Sequence, residues 1–406
     1  MVRDIEDTVH PVDAASVLAL LRDRPRILAL GEPTHGAPDL LRTRNALFRE
    51  LVEQHGYRTI ALETDCLAGL LVDDYVTTGR GDLDDVLARG LSHEWGAYPG
   101  NRELVAWMRA HNEGRPAAEH VRFAGADGPL EISAAASPRA ALVALHDYLS
   151  ARVDADLLPC TADVLDRMIG PDDRWTEPAA MMDPARSVGQ SAEARELRLL
   201  ADDLATLLET HAPQLLAGST PQERDRAHLY ARTATGLLRY HFWMADPSPA
   251  RMTRLLGIRD AMIADNLLAL AERGPALVSA HNSHLQRGRS TMAMWDHPRL
   301  EWWGAGALVS TRLGDRYAFV ATALGTLRDQ GVEAPEPDTV EGLLYGLGRD
   351  EVLVDPRGPA ALHRAGADGG AALAARVSPW FGYAPLDPAD LAETDAIVFV
   401  RDVPHR

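Results

Sequence analysis

The 406-residue chain reads as an α/β protein. A central, largely parallel sheet is flanked by helices, and an inserted helical lobe covers the carboxyl edge of the strands. Three observations predict this. Short apolar runs at Ile27–Leu30, Thr59–Leu62, Val121–Ala124 and Pro275–Ala280 each stop at a glycine or a polar residue, as strands buried on both faces do. A helical period of apolar residues joins the first run to the second. Helical spacing then runs without interruption by strands from about Ser137 to Gly274. The sequence therefore divides into an α/β core, residues 1–135 and 275–406, and a helical lobe, residues 136–274.

Taken in order, a short helix from Asp13 to Arg22 leads into the first strand, which ends at Gly31. Glu32 and His35 follow in a glycine-bounded loop. The next helix places Leu40, Leu41, Leu47, Phe48, Leu51 and Val52 on one face. Asp39 suits its N-cap and Gly56 its stop. The strand after it delivers Glu63. Such a strand–helix–strand unit is a right-handed crossover in a parallel sheet, and ligands bind at the carboxyl edge of such sheets. Leu67–Tyr75 is helical. The polar loop SHEWGAYPG carries His93, Trp95 and Tyr98, and its aromatics cover a core edge. Glu103–His111 is helical, and the third strand leads to Asp127.

The lobe's helices span Ala140–Ala151, Ala192–His211, Gln222–Met244 and Met252–Glu272, with an irregular loop at Arg174–Gly189. The strand PALVSA then runs into His281, Asn282, Ser283 and His284. Further strands are expected at Ala307–Thr311, Tyr317–Ala323 and Ala396–Val400, with a helix at Thr339–Leu347. Residues 355–375, rich in Gly, Ala and Pro, form loops around short helices.

Lys plus Arg number 41 and Asp plus Glu 59, a net charge of -18. Such a surface repels phosphate backbones and anionic membranes, so the expected partner is a small molecule, not nucleic acid. Cys66 and Cys160 have neither metal-site nor redox spacing and read as buried apolar residues. The acidic N-terminus does not read as a signal peptide, and no apolar run reaches the length of a membrane span. A soluble, cytoplasmic monomer without membrane attachment is expected.

A lone glutamate after a strand is ordinarily a helix cap, and a lone histidine in a glycine-rich loop is ordinarily a turn residue. Here several strand ends converge: Glu32, His35, Glu63, Asp127, His281 and His284. Arg44 joins them from the apolar face of the first long helix. A buried arginine needs a partner, and Glu63 is the natural candidate. There is no G-x-S-x-G elbow, no glycine-rich phosphate loop and no H-E-x-x-H helix. What remains, imidazole plus carboxylate, suits general-base activation of water. The carboxylate would fix the histidine tautomer, and an arginine could stabilise a developing oxyanion. The same residues also resemble a ligand set for zinc or manganese. Arg44 competes electrostatically with a divalent ion, so neither a resident metal nor any other cofactor is expected.

These residues resemble those of the erythromycin esterase family. The matching features are Gly31, Glu32, His35 and Gly36, then Arg44 and Phe48, then Glu63. Gly125 and Asp127 follow, then Arg259, Asp260, Met262, Ala264 and Asn266, then His281, Asn282 and His284, and last Gly314–Tyr317. The resemblance spans nearly the whole chain. Each motif is short, and it is their order and spacing that are specific. It implies an α/β core with a helical lobe and hydrolysis of the lactone ester of macrolide antibiotics, a resistance activity. It implies His35 as the general base, with Glu32, Glu63, Arg44 and His281 completing the catalytic set. His284, Asp127 and Arg259 would then contact substrate. Members of the family differ over metal dependence, and some accompany natural-product biosynthesis. The alternative is therefore a tailoring enzyme that uses the same residues for cyclisation, elimination or rearrangement. Pro33 departs mildly from the motif by stiffening the loop before His35. A catalytically idle binding protein is disfavoured, because every polar position of the set is filled.

Overall fold

The computed structural model describes residues 5–131, 134–295, 297–367, 372–377, 380 and 382–403. In chain order its strands are β1 (Val9–His10), β2 (Ile27–Glu32), β3 (Thr59–Asp65), β4 (Arg122–Asp127), β5 (Leu130–Glu131) and β6 (Ala134–Ala135). They continue with β7 (Ala276–His281), β8 (Arg289–Met294), β9 (His297–Trp303), β10 (Tyr317–Thr326), β11 (Glu351–Val354) and β12 (Ala396–Asp402). Eight of them form one sheet in the order β1-β11-β12-β10-β2-β7-β3-β4. β12, β10, β2, β7 and β3 pair in parallel. β11 runs antiparallel to β12, and β1 antiparallel to β11.

The order corrects one feature of the expected crossover. β2 and β3 are not neighbours, because β7 lies between them. The helix Pro38–His55 therefore carries the chain past a place that β7 fills much later in the sequence. The register sets Glu32 opposite His281 and Leu62 opposite Ser279. Since the three strands are parallel, their carboxyl ends share one edge. Leu28, Leu30, Ile60, Leu62, Leu277 and Val320 bury the sheet against Leu47, Phe48 and Leu51 of that helix.

The N-cap of that helix is Ala37, with Pro38 at the first helical position. Asp39 instead sits in the first turn, where it pairs with Arg42 and favours the positive end of the helix dipole. Gly56 ends the helix in the left-handed conformation at φ 70°, which only glycine adopts without strain. The expected strand at Ala307–Thr311 is a helix, Ala305–Leu313. Gly304 caps its start and Gly314, at φ 55°, follows its end. The hairpin β8–β9 and the short strand β11 were not anticipated. Residues 368–371, expected in loops, lie outside the described residues.

The chain forms two compact units. The first comprises Met1–Glu63, Gly69–Ala126 and Leu267–Arg406, and the second Thr64–Ala68 and Asp127–Asn266. The second is helical: Arg139–Ser150, Ala162–Ile169, Ala192–Thr210 and Pro221–Met244 bury Leu142, Leu145, Leu197, Leu204, Ala234 and Leu238 against one another. Its segment Asp172–Gln190 is a run of 3-10 turns rather than an irregular loop. Side chains of Glu177, Asp183 and Ser187 cap those turns. No described helix is long and apolar enough to cross a membrane.

Candidate active site

β2 and β7 each end in a titratable side chain, and β3 carries one near its end. Glu32 is the last residue of β2 and His281 the last of β7, while Glu63 lies two residues before the end of β3. His35 follows β2 in a loop closed by Gly36 at φ 74°. His284 lies one helical turn beyond His281, in Asn282–Leu285. The structure thus brings Glu32, His35, Glu63, His281 and His284 together in the first unit.

His35 Nδ1 lies 2.7 Å from Glu32 Oε1. A carboxylate only accepts, so the proton of this bond is on Nδ1. The other ring nitrogen, Nε2, faces Glu63 Oε1 at 3.9 Å, too long for a direct hydrogen bond. Glu63 is held on both sides. Its Oε2 accepts from the His281 backbone N–H at 2.7 Å, and its Oε1 is 3.3 Å from His284 Nε2. One third of the His35 side chain is exposed, whereas Glu32, Glu63, His281 and His284 are buried. Burial opposes the imidazolium of His35. The Glu63 charge and the Glu32 hydrogen bond together override it, so the pKa is raised above 6.5.

His281 is poised in the opposite sense. Its Nε2–H donates to the Pro33 carbonyl at 3.1 Å, and its Nδ1 accepts from Ser283 Oγ at 2.6 Å. Both nitrogens are engaged, which leaves no lone pair for a substrate proton. Burial, aided by the positive potential of His35 and His284, pushes its pKa down to about 3. His281 is a neutral strut. Neither Ser283 nor the Pro33 carbonyl carries a sequence signal for this role.

Arg44 does not pair with Glu63. It is buried as expected, but Nε and Nη2 donate to Asn45 Oδ1 at 3.1 and 2.9 Å, and Nη2 also donates to Asn101 Oδ1 at 2.8 Å. Neutral amides satisfy it where a carboxylate was expected. Burial lowers its pKa to about 10 against the charges of Glu32 and Glu103. Trp95 both fills the core and lines the site, its ring centroid 4.8 Å from that of His35. Asp127 and Arg259 belong to the second unit and hold each other: Arg259 Nε and Nη2 donate to Asp127 Oδ2 at 2.9 and 2.6 Å.

Among the described residues no three His, Cys, Asp or Glu side chains converge as metal ligands would. Both Glu63 oxygens have polar partners, the His281 backbone N–H and His284 Nε2. A cavity of about 530 Å3 in the first unit takes in His281, Asn282 and Ser283 together with Phe319, Tyr383 and Leu386. His35 is not among its walls.

Residues 52–403 match the family described as erythromycin esterase. A stretch of 105 residues, 26% of the chain, is 31% identical to the erythromycin esterase type II of Escherichia coli. That match spans only about a quarter of the curated relative, 24% of its length. Three solved structures are similar. A Bacillus cereus protein has a TM-score of 0.69 at 19% identity, over 93% of this chain and 88% of that one. A mutant of the erythromycin esterase EreC in its open conformation has 0.65 at 18%, over 95% and 93%. A succinoglycan biosynthesis protein has 0.64 at 16%, over 99% and 96%. At these identities the structures share the fold.

Proposed function

The chain belongs to the erythromycin esterase family, and from that membership and the geometry around His35 we propose a hydrolase that opens the lactone ester of a natural product. The observation that carries the reading is the His35 ring itself. Glu32 holds its Nδ1–H at 2.7 Å, and its Nε2 lone pair faces Glu63 Oε1 at 3.9 Å. A water between these two acceptors gives one proton to each as hydrogen bonds, which turns its own lone pairs outward. Nε2 takes a proton as the water oxygen attacks the ester carbonyl. The tetrahedral intermediate collapses, the C–O bond to the ring alcohol breaks, and the Nε2–H proton passes to the leaving oxygen. The product is the ring-opened hydroxy acid. Glu32 fixes the tautomer throughout, and Glu63 stabilises the imidazolium formed midway. No metal is needed for these steps.

The test is incubation of the protein with a panel of macrolactones, followed by mass spectrometry. A product heavier by one water supports hydrolysis. A product of unchanged mass supports ring rearrangement by the same base. His35→Asn keeps a polar side chain but cannot take the proton, and should lower turnover about 10²- to 10⁴-fold, with binding retained by calorimetry. Turnover near wild type would remove His35 from the role.

A further inference from the structure

A buried network connects Arg44 to the far side of His35. The Arg44 guanidinium only donates, so it turns the Oδ1 of both Asn45 and Asn101 toward itself. Each amide nitrogen then points away and meets a backbone carbonyl. Asn45 Nδ2 donates to Gly100 O at 2.8 Å, and Asn101 Nδ2 donates to Trp95 O at 3.0 Å. The loop so held is bent unusually. His93 and Glu94 both lie at φ 58°, a region sparsely used by residues other than glycine and found where surrounding structure enforces it. At Gly96 a Cβ would fall 2.3 Å from Leu87 O, so the loop is pressed onto the helix Leu83–Gly90. The loop places the Trp95 indole against one side of the His35 ring, while His281 lies on another, its centroid 5.3 Å away.

We propose that Arg44, Asn45 and Asn101 form a positioning device for the base, acting through Trp95. Trp95 fixes the plane of the His35 ring, so that Nδ1 stays on Glu32 and Nε2 stays toward Glu63. Without the indole, rotation about the ring's own bond to Cβ is restrained by the bond to Glu32 and by the His281 ring alone. Arg44 is then a positioning residue two steps removed from the chemistry, not an oxyanion donor. The kinetic consequence rests on the reading of His35 as the base. The ring orientation does not, because it is a property of the free protein.

The experiment reads the His35 tautomer by NMR of the full-length protein labelled with 15N-histidine, at a pH where the ring is neutral. The signal is assigned by its loss in His35→Asn. Wild type should show the Nδ1–H tautomer. Trp95→Ala should show a mixture, and Trp95→Phe, which keeps a ring, should restore the single tautomer. Asn101→Asp is the discriminating variant. It keeps an acceptor for Arg44 but loses the donor to the Trp95 carbonyl. It should therefore behave like Trp95→Ala. On any ester the wild type hydrolyses, both should lower kcat about a hundredfold and move KM much less. Folded Trp95→Ala and Asn101→Asp proteins with the wild-type tautomer would overturn the proposal. If Trp95→Ala does not fold, Asn101→Asp alone decides. A shifted tautomer in a protein that opens no ester keeps the positioning device and rejects the hydrolase. An unshifted tautomer in an active esterase does the reverse.

Discussion

Lowering the pH should extinguish activity before it unfolds the protein, because two neighbouring histidines are displaced in opposite directions. His35 has its pKa raised above 6.5 by Glu63 and Glu32 against its burial. Its protonation therefore favours the folded state. That contribution is complete below pH 6.5 and is lost as pH rises through the folded pKa. Acidification from neutral pH thus removes the base while adding to stability. His281 has its pKa depressed to about 3. Its contribution is complete above pH 6.5 and is lost as pH falls from there toward 3. At 1.36 kcal/mol per unit this amounts to roughly 5 kcal/mol. His241 in the second unit, buried and donating to Ala136 O at 2.8 Å, is depressed to about 4 and adds roughly 3 kcal/mol of the same sign. The assays are kcat/KM against pH on an ester that is turned over, and Tm against pH by calorimetry. The rate should fall first, near or above pH 6.5, with Tm still level. His241→Gln should make the acid fall of Tm shallower and leave the rate curve in place. A rate that persists until Tm collapses would refute His35 as the base.

Glu63→Gln removes the charge that contributes most to raising the His35 pKa, so the acid limb of kcat/KM should move to lower pH; an unmoved limb would show that Glu63 does not act on the base. Arg44→Leu strands the Oδ1 acceptors of Asn45 and Asn101 and should cost about 2–6 kcal/mol in urea unfolding, at 1–3 per stranded group; a loss under about 1 kcal/mol would deny the network. In Gly31→Ala the new Cβ would fall 2.2 Å from Asn282 Oδ1 and 3.0 Å from Phe319. Overpacking of this kind costs about 1–3 kcal/mol, read as a lower Tm, and an unchanged Tm would mean that Asn282 yields freely. Dialysis against EDTA should leave turnover intact, whereas stoichiometric zinc or manganese lost together with activity would make the water metal-bound.

The strand ends were legible because each carries its signal locally. An apolar run of four residues cannot hide a glutamate or histidine at its end, so Glu32, Glu63 and His281 could be placed at one sheet edge. The order of strands could not be read this way. Nothing near β2 or β3 says that a segment more than 200 residues later will lie between them. The partners of Arg44 were missed for a related reason. Burial of a guanidinium demands acceptors, but a carboxylate and two amide oxygens meet that demand equally well, and Asn101 is 57 residues away. The hairpin β8–β9 did carry a legible sign. In β8 Ser290 and Met294 are buried between exposed neighbours, the alternation of a half-covered strand. At Ala307–Thr311 the short apolar run suited a strand, whereas the chain there is a helix bounded by Gly304 and Gly314.

The position of β7 ties the chemistry to the fold more tightly than a cluster of loops would. The carboxylates come from the first 63 residues and the two buried histidines from beyond residue 280. They meet only when β7 pairs in parallel with β2 on one side and β3 on the other. Side chains alternate along a strand, so a slip of one residue would set Ala280 opposite Glu32 and turn His281 to the other face of the sheet. The Glu63 carboxylate would then lose the His281 N–H that holds its Oε2. Both β7 pairings are long-range, so each must offset the entropy of closing a loop of more than 200 residues. The Glu63 charge that helps to raise the His35 pKa is therefore held in place by a contact between distant parts of the chain. A chain without that pairing would carry Glu32 and His35 in their loop with a bond between them, and still lack the Glu63 oxygen that faces His35 Nε2.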